Sequence, residues 1–277
     1  MAIFRLPDLR GILRDLKDEI LRDRVLAVAA GVTFYALLAI VPAITALISV
    51  FGLILAPSEV PELLAPLYGL LPEEAAVLVT DQATRIAAKA DDALSLTALV
   101  ALLIALWSAN GGTKALIEAL GIAYDVRETR SFVRLTLVAL GFTLGALVLV
   151  ILLGGAVAAL PFLVERLGGM AEALVLILRW PVILALLLLV LAVLYRWGPD
   201  RPGAEWRWIT PGAVLASLGL VLISGGMSWY VANFGSYDET YGSLAAVVVL
   251  MLWIWLSTMM VLVGAELNAE LDRRSRR

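Results

Sequence analysis

The chain contains no cysteine and no histidine in 277 residues. Without cysteine there is no disulfide and no thiol nucleophile, and without histidine the usual near-neutral acid–base group and almost every zinc site go too. Charge is also scarce. Asp, Glu, Lys and Arg make up 16%, and the formal net charge is -3, so no global basic field invites nucleic acid. Residues 1–24 mix six basic with five acidic side chains around no apolar run, which is not the pattern of a cleavable signal peptide. Absence thus excludes redox, histidine-based and nucleic-acid chemistry, and the expectation is a non-enzyme with no catalytic residue, no cofactor and no metal.

Apolar sequence is what is plentiful: 62% of residues are hydrophobic and the mean hydropathy is +0.95. It is gathered into six long stretches, roughly Val25–Leu55, Leu94–Ala109, Leu135–Leu160, Leu174–Leu194, Pro211–Val231 and Leu244–Val263. A helix crosses a hydrocarbon core of ~30 Å in ~20 apolar residues, and these runs are too uniformly apolar for alternating barrel strands. The expected fold is all-α: a polytopic membrane protein with six transmembrane helices. Seventeen of the twenty-one Lys and Arg fall in the segments on one side of these spans, which places both termini in the cytoplasm of a cell (inner) membrane.

Three segments follow. Residues 1–24 are expected as a cytoplasmic amphipathic helix, because Leu6, Leu9, Ile12, Leu13, Leu16 and Ile20 recur at helical spacing among Arg14, Lys17, Arg22 and Arg24. Residues 25–270 form the six-helix transmembrane domain, with an outer loop over 56–93 in which Pro57, Pro61, Pro66 and Pro72 separate two short outer helices. Residues 271–277 are a basic cytoplasmic tail. Gly141 and Gly145 stand at the four-residue spacing that lets helix backbones approach closely.

Polar residues at membrane depth are the candidate site. Asn110-Gly111-Gly112-Thr113 is a poor helix interior, so the second span either breaks there, as binding sites in transporters do, or makes a small-residue packing notch. Lys114 and Glu118, four residues apart, share a helix face and can pair. Arg134 opens the third span, Arg196 closes the fourth, and Glu266 and Asn268 lie at the same level on the sixth. Asn110, Lys114, Glu118, Arg134, Arg196, Glu266 and Asn268 therefore read either as a substrate-binding cluster at the cytoplasmic mouth or as helix-end anchors whose long side chains snorkel to water.

Ordered motifs run through most of the chain: Trp107-Ser108-Ala109, Ala115-Leu116-Ile117, Ala123-Tyr124, then Val126, Glu128, Arg130 and Phe132. Leu194-Tyr195-Arg196 with Pro199, Pro211-Gly212-Ala213, Tyr237, Tyr241-Gly242-Ser243-Leu244 and Gly264-Ala265-Glu266-Leu267-Asn268-Ala269 continue them. Together they resemble the YihY/BrkB family of inner-membrane proteins. Gly121 stands where that family usually has Asn, and Ala245 where it usually has Gly. The resemblance implies a six-helix membrane protein, often described as a transporter. The ribonuclease label that some members have carried fits poorly with a chain lacking histidine, a metal-ligand cluster and an exposed basic groove.

Two functions of different class remain. One is a membrane transporter or conduit with a cytoplasm-facing polar site, whose basic groups and apolar bundle suit a lipid or other anionic amphiphile. The other is a structural or assembly protein of the cell envelope acting through partner binding. Expected partners are membrane lipids, and a homo-oligomer or an envelope protein.

Overall fold

The computed structural model describes residues 9–51, 77, 80–81, 84, 96–167, 169–203, 208–234 and 245–275. Among these, all regular structure is helical, and seven helices have described bounds: α1 (Leu9–Arg22), α2 (Val25–Phe51), α3 (Leu96–Ala123), α4 (Phe132–Leu167), α5 (Gly169–Trp197), α6 (Pro211–Phe234) and α7 (Ala245–Ser275). Four of them, α2, α4, α6 and α7, contain stretches long and apolar enough to cross a membrane, and α5 adds a shorter apolar stretch over Pro181–Trp197. The expected outer loop over 56–93 lies almost wholly outside the described residues. Only Val77, Thr80, Asp81 and Thr84 represent it, all helical.

The bundle distributes its side chains in the opposite sense to a soluble one. Large apolar residues face outward, with Leu152 64% and Leu222 74% exposed, while Ala29, Ala139, Ala213, Ala216 and Ala265 are fully buried at the centre. In hydrocarbon, apolar area gives helices no reason to associate. They associate where small residues let backbones come close. Neighbouring helices pack in chain order from α2 to α7, and α7 closes the ring against α2 while also reaching α3.

The tightest crossing is between α6 and α7. A Cβ built on Gly212 would lie 1.9 Å from the Gly264 carbonyl oxygen, and one on Gly264 would lie 2.5 Å from the Gly212 oxygen. Only two glycines can meet this way. Tyr195 of α5 locks the same point by donating its hydroxyl to the Val261 carbonyl at 2.7 Å. The start of α6 is capped from two sides. Thr210 Oγ1 accepts from the Ala213 N–H at 3.1 Å, and Asn268 Oδ1 accepts from the Gly212 N–H at 2.9 Å, with Pro211 at the first helical position where no N–H is needed.

Of the two readings of the second span's glycines, the packing notch is the one found. α3 runs unbroken through Asn110–Thr113. A Cβ on Gly112 would meet Ala36 Cα at 3.3 Å, so the glycine serves as a packing notch against α2 and not as a helix break. Gly141 and Gly145, by contrast, face open space and bring no backbone close. α3 ends instead at Asp125, which adopts φ 53° while the Val126 N–H reaches back to Gly121 and the Asp125 N–H to Ile122, both at 2.9 Å. That is a Schellman termination with Asp where glycine is usual.

α1 sets part of its apolar stripe against the bundle, with Ile12 and Leu16 buried while Leu13 is exposed. The last turns of α7 hold it there: Arg274 pairs with Asp15, and Arg273 with Glu19 at 3.2 Å. α7 thus remains helical to Ser275, through much of the stretch expected as a basic tail.

Candidate functional site

The seven sequence candidates do not converge on one mouth. Arg134 and Arg196 come together, at one end of a groove of about 1000 Å³ between α4 and α5. Its walls are apolar, from Val138, Phe142 and Leu149 on α4 to Leu186, Val190 and Val193 on α5. Gly141 and Gly145 form part of the α4 wall, which explains why nothing packs against them. From Arg134 to Leu149 a helix rises about 22 Å, the reach of an extended acyl chain.

The arginine end is built by two loops fastened to each other. Arg130 is held bidentately by Glu128, at 2.7 and 2.5 Å, and donates to the carbonyls of Gly198 at 2.7 Å and Trp197 at 3.4 Å. It thereby satisfies acceptors left over where α5 ends. Arg201 donates to the Tyr195 carbonyl at 2.9 Å, pairs with Asp272 at 3.4 Å and stacks 3.7 Å over the Tyr124 ring. Thr129 donates both its backbone N–H and its hydroxyl to Asp200 Oδ2. These contacts hold the Glu128 and Asp200 carboxyls below their ordinary ranges, Glu128 mainly through Arg130 and Asp200 mainly through Thr129.

Arg130 and Arg201 are therefore committed to structure. Arg134 and Arg196 are not: neither has an ion-pair partner among the described residues. Arg196 lies in the last turn of α5, where a cation suits the helix dipole. Arg134 lies in the first turn of α4, where the dipole opposes it, and the nearest opposite charge acting with it is the Asp200 carboxylate, which is already held by Thr129. An anion placed in the groove would meet both guanidiniums and the positive end of α4, with the Asp200 carboxylate at the same end.

The other five candidates lie elsewhere. Lys114 and Glu118 do not pair. Lys114 sits over the Trp107 and Phe132 rings, at 5.6 and 4.4 Å from their centroids, and Glu118 is exposed. Asn110 is buried and donates a long 3.4 Å bond to the Thr136 carbonyl, while its Oδ1 has no partner. Asn268 is a structural hub: besides capping α6, it donates to the Tyr124 hydroxyl at 3.3 Å and to Thr210 Oγ1 at 3.0 Å. Burial pushes the Tyr124 hydroxyl up to about 12. Glu266 is fully buried, beside Glu19 and Asp23 and away from the groove.

Two partners of Glu266 escaped the sequence reading, yet a signal existed. Asp15, Glu19 and Asp23 recur every four residues and so share one face of α1 and its following turn. The expectation for this segment used only its apolar and basic residues.

An all-helical chain with outward apolar faces and several helices able to cross a bilayer is a membrane protein. Comparison with known proteins specifies which kind. The family profile described as "Virulence factor BrkB" matches residues 16–277, and the chain belongs to that family. It is 30% identical over 280 residues to the UPF0761 membrane protein azo3165 of Azoarcus sp. (strain BH72), covering 95% of this chain and 64% of that one. It is 36% identical over 187 residues to a protein of Bacillus subtilis (strain 168) carrying the name "ribonuclease-like protein YfkH", covering 63% of this chain and 66% of that one. The chain thus spans about two thirds of the length of these relatives. No solved structure matches. The family is one of membrane proteins not known for an enzymatic activity, and the ribonuclease-like name on one relative says nothing about this chain's chemistry.

Proposed function

We propose that this protein binds and moves an anionic amphiphile, a membrane lipid foremost, along the groove between α4 and α5. In this reading the chain crosses a cell (inner) membrane six times, through α2 to α7, with its charged end in the cytoplasm. The observation that carries the reading is the groove itself, in which two unpaired arginines stand at one end of an apolar trough as long as an acyl chain.

The energetics favour selection by head group. An acyl chain leaving bilayer for groove exchanges one apolar environment for another, so it brings little affinity of its own. Charge-assisted hydrogen bonds from Arg134 and Arg196 to a phosphate are each worth about 1.5–3 kcal/mol, roughly tenfold in affinity or more. The site residues are then Arg134 and Arg196. Asn110, Lys114 and Asn268 support the helices that position them, Glu118 stands exposed, and Glu266 belongs to a separate cluster.

The test is reconstitution into liposomes with fluorescent phosphatidylglycerol and, separately, phosphatidylcholine. Wild type should transfer the anionic lipid across the bilayer faster. Arg134→Ala with Arg196→Ala should lose that preference, and Gly141→Leu with Gly145→Leu should plug the trough without loss of thermal stability. Transfer unchanged in both double variants refutes the assignment. A wild type that transfers neither lipid leaves the envelope-assembly function as the better reading.

A further inference from the structure

Where α1 turns into α2 against α7, the fold gathers carboxylates that share no residue with the groove. Glu266 is 0% exposed, and neither of its oxygens has a hydrogen-bond partner. One oxygen each from Glu19, Asp23 and Glu266 lies within 4.8 Å of the other two. Asp23 Oδ2 is likewise buried and without a partner. The unpartnered atoms of the two elements thus face one another.

The arginines of the region pair with Glu19 and Asp23 but form no ion pair with Glu266. Arg22 pairs with Glu19, with Asp23 Oδ1 at 3.1 Å and with Asp125 at 3.2 Å. Arg273 pairs with Glu19 at 3.2 Å, Asp125 at 2.5 Å and Glu270 at 3.3 Å, and Arg274 pairs with Glu270 at 2.5 Å and with Asp15. Six carboxylates (Asp15, Glu19, Asp23, Asp125, Glu266 and Glu270) therefore meet three guanidiniums. None of the three forms an ion pair with Glu266, on which Arg273 acts only from a distance, and a fully buried carboxylate without a paired counter-charge is strongly unfavourable. Something positive must sit beside it: either a proton shared with Asp23 or a cation.

We propose that Glu19, Asp23 and Glu266 bind a divalent cation of calcium size, which fastens α1 to α7. All available ligands are carboxylate oxygens, the donor set of hard cations. Ca²⁺ takes several carboxylates in a flexible geometry, whereas Mg²⁺ keeps most of its waters and binds through one or two carboxylates. The three oxygens lie within 4.8 Å of one another, close enough to share one ion. The three ligands come from α1, the turn after it and α7, so the cation would join elements at opposite ends of the chain. The Asp15 and Glu19 contacts of Arg274 and Arg273 already hold these elements in register for it.

The experiment uses the full chain in detergent micelles, stripped with chelator and titrated with Mn²⁺ at fixed ionic strength. Free Mn²⁺ is read by electron paramagnetic resonance, and thermal unfolding is followed in parallel. The expected result is one saturable Mn²⁺ per chain, displaced more readily by Ca²⁺ than by Mg²⁺. The midpoint of unfolding should rise by about 5–10 °C at a hundredfold excess of Ca²⁺ over Kd. Glu266→Gln should abolish both effects. It should also fold at least as well as the stripped wild type, because it removes a buried charge. Asp23→Asn provides a second variant should Glu266→Gln fail to fold, whereas Arg134→Ala with Arg196→Ala should retain binding. No saturable Mn²⁺ in the wild type overturns the proposal in favour of the shared proton. So does undiminished binding in both Glu266→Gln and Asp23→Asn.

Discussion

A single methyl group at Gly212 tests how α6 and α7 are held together. The added Cβ would lie 1.9 Å from the Gly264 carbonyl oxygen and 2.7 Å from Asn268 Cγ and Oδ1. Carbon and oxygen rest at about 3.3 Å, so the two backbones must part by roughly 1.4 Å. A backbone oxygen cannot swing aside as a side chain would. Separation breaks the Gly212 N–H to Asn268 Oδ1 bond and strains the Tyr195 hydroxyl bond to Val261, both of which fix this crossing. Overpacking costs about 1–3 kcal/mol, and an orphaned buried amide about 1–3 more. A loss near 4 kcal/mol corresponds to a fall of about 8–16 °C in a chain of this size. Gly226, in the same helix, has nothing within 4 Å. Alanine there should be neutral, or stabilising by up to about 1 kcal/mol from helix propensity. Both variants would be melted in one detergent, with tryptophan fluorescence and circular dichroism followed together. Gly212→Ala melting within about 2 °C of wild type would refute the close-crossing argument.

Asn268→Leu leaves the Gly212 N–H without its acceptor and should cost about 1–3 kcal/mol, read as a lower Tm with the helical content unchanged. Asn110→Leu should do the reverse and stabilise by about 1 kcal/mol, because the buried Oδ1 has no partner to lose. A marked loss of stability in that variant would mean Asn110 is held by more than Thr136. Glu128 has its folded pKa lowered, chiefly by Arg130, so its stabilising contribution is complete above the ordinary glutamate value and lost as pH falls through the depressed one. Between pH 6 and pH 3 the wild type should therefore lose more Tm than Glu128→Gln. Equal acid sensitivity would show that the Arg130 clamp does not depend on this charge.

What the sequence made legible was whatever is encoded locally. Apolar runs and one-sided charge announced a helical membrane protein, and Arg134 and Arg196 were singled out by their places at span ends. Asn110–Thr113 was legible only as a choice between a break and a packing notch: glycine lowers helix propensity in isolation, but α2 packs against Gly112, tertiary contact outweighs that preference and the notch holds. Gly141 and Gly145 misled: the spacing that permits close helix approach equally permits an open wall. Lys114 and Glu118 share a helix face, but Lys114 finds aromatic rings instead. The cluster of Glu19, Asp23 and Glu266 joins residues some 240 positions apart, and no local pattern on either segment names the other.

The ring closed by α7 has a consequence for biosynthesis. Trp255 donates to the Leu26 carbonyl at 3.0 Å, and Arg273 and Arg274 reach Glu19 and Asp15, so α1 and α2 find these partners only on a helix made more than 200 residues later. While the ribosome is still at work, α1 has its apolar stripe but not its arginines, and α2 has one flank open to lipid. The chain is assembled like a clasp whose hook is cast well before its eye. A nascent chain arrested before Gly264 should therefore expose α1 to added protease, and release of a full-length chain should abruptly protect it.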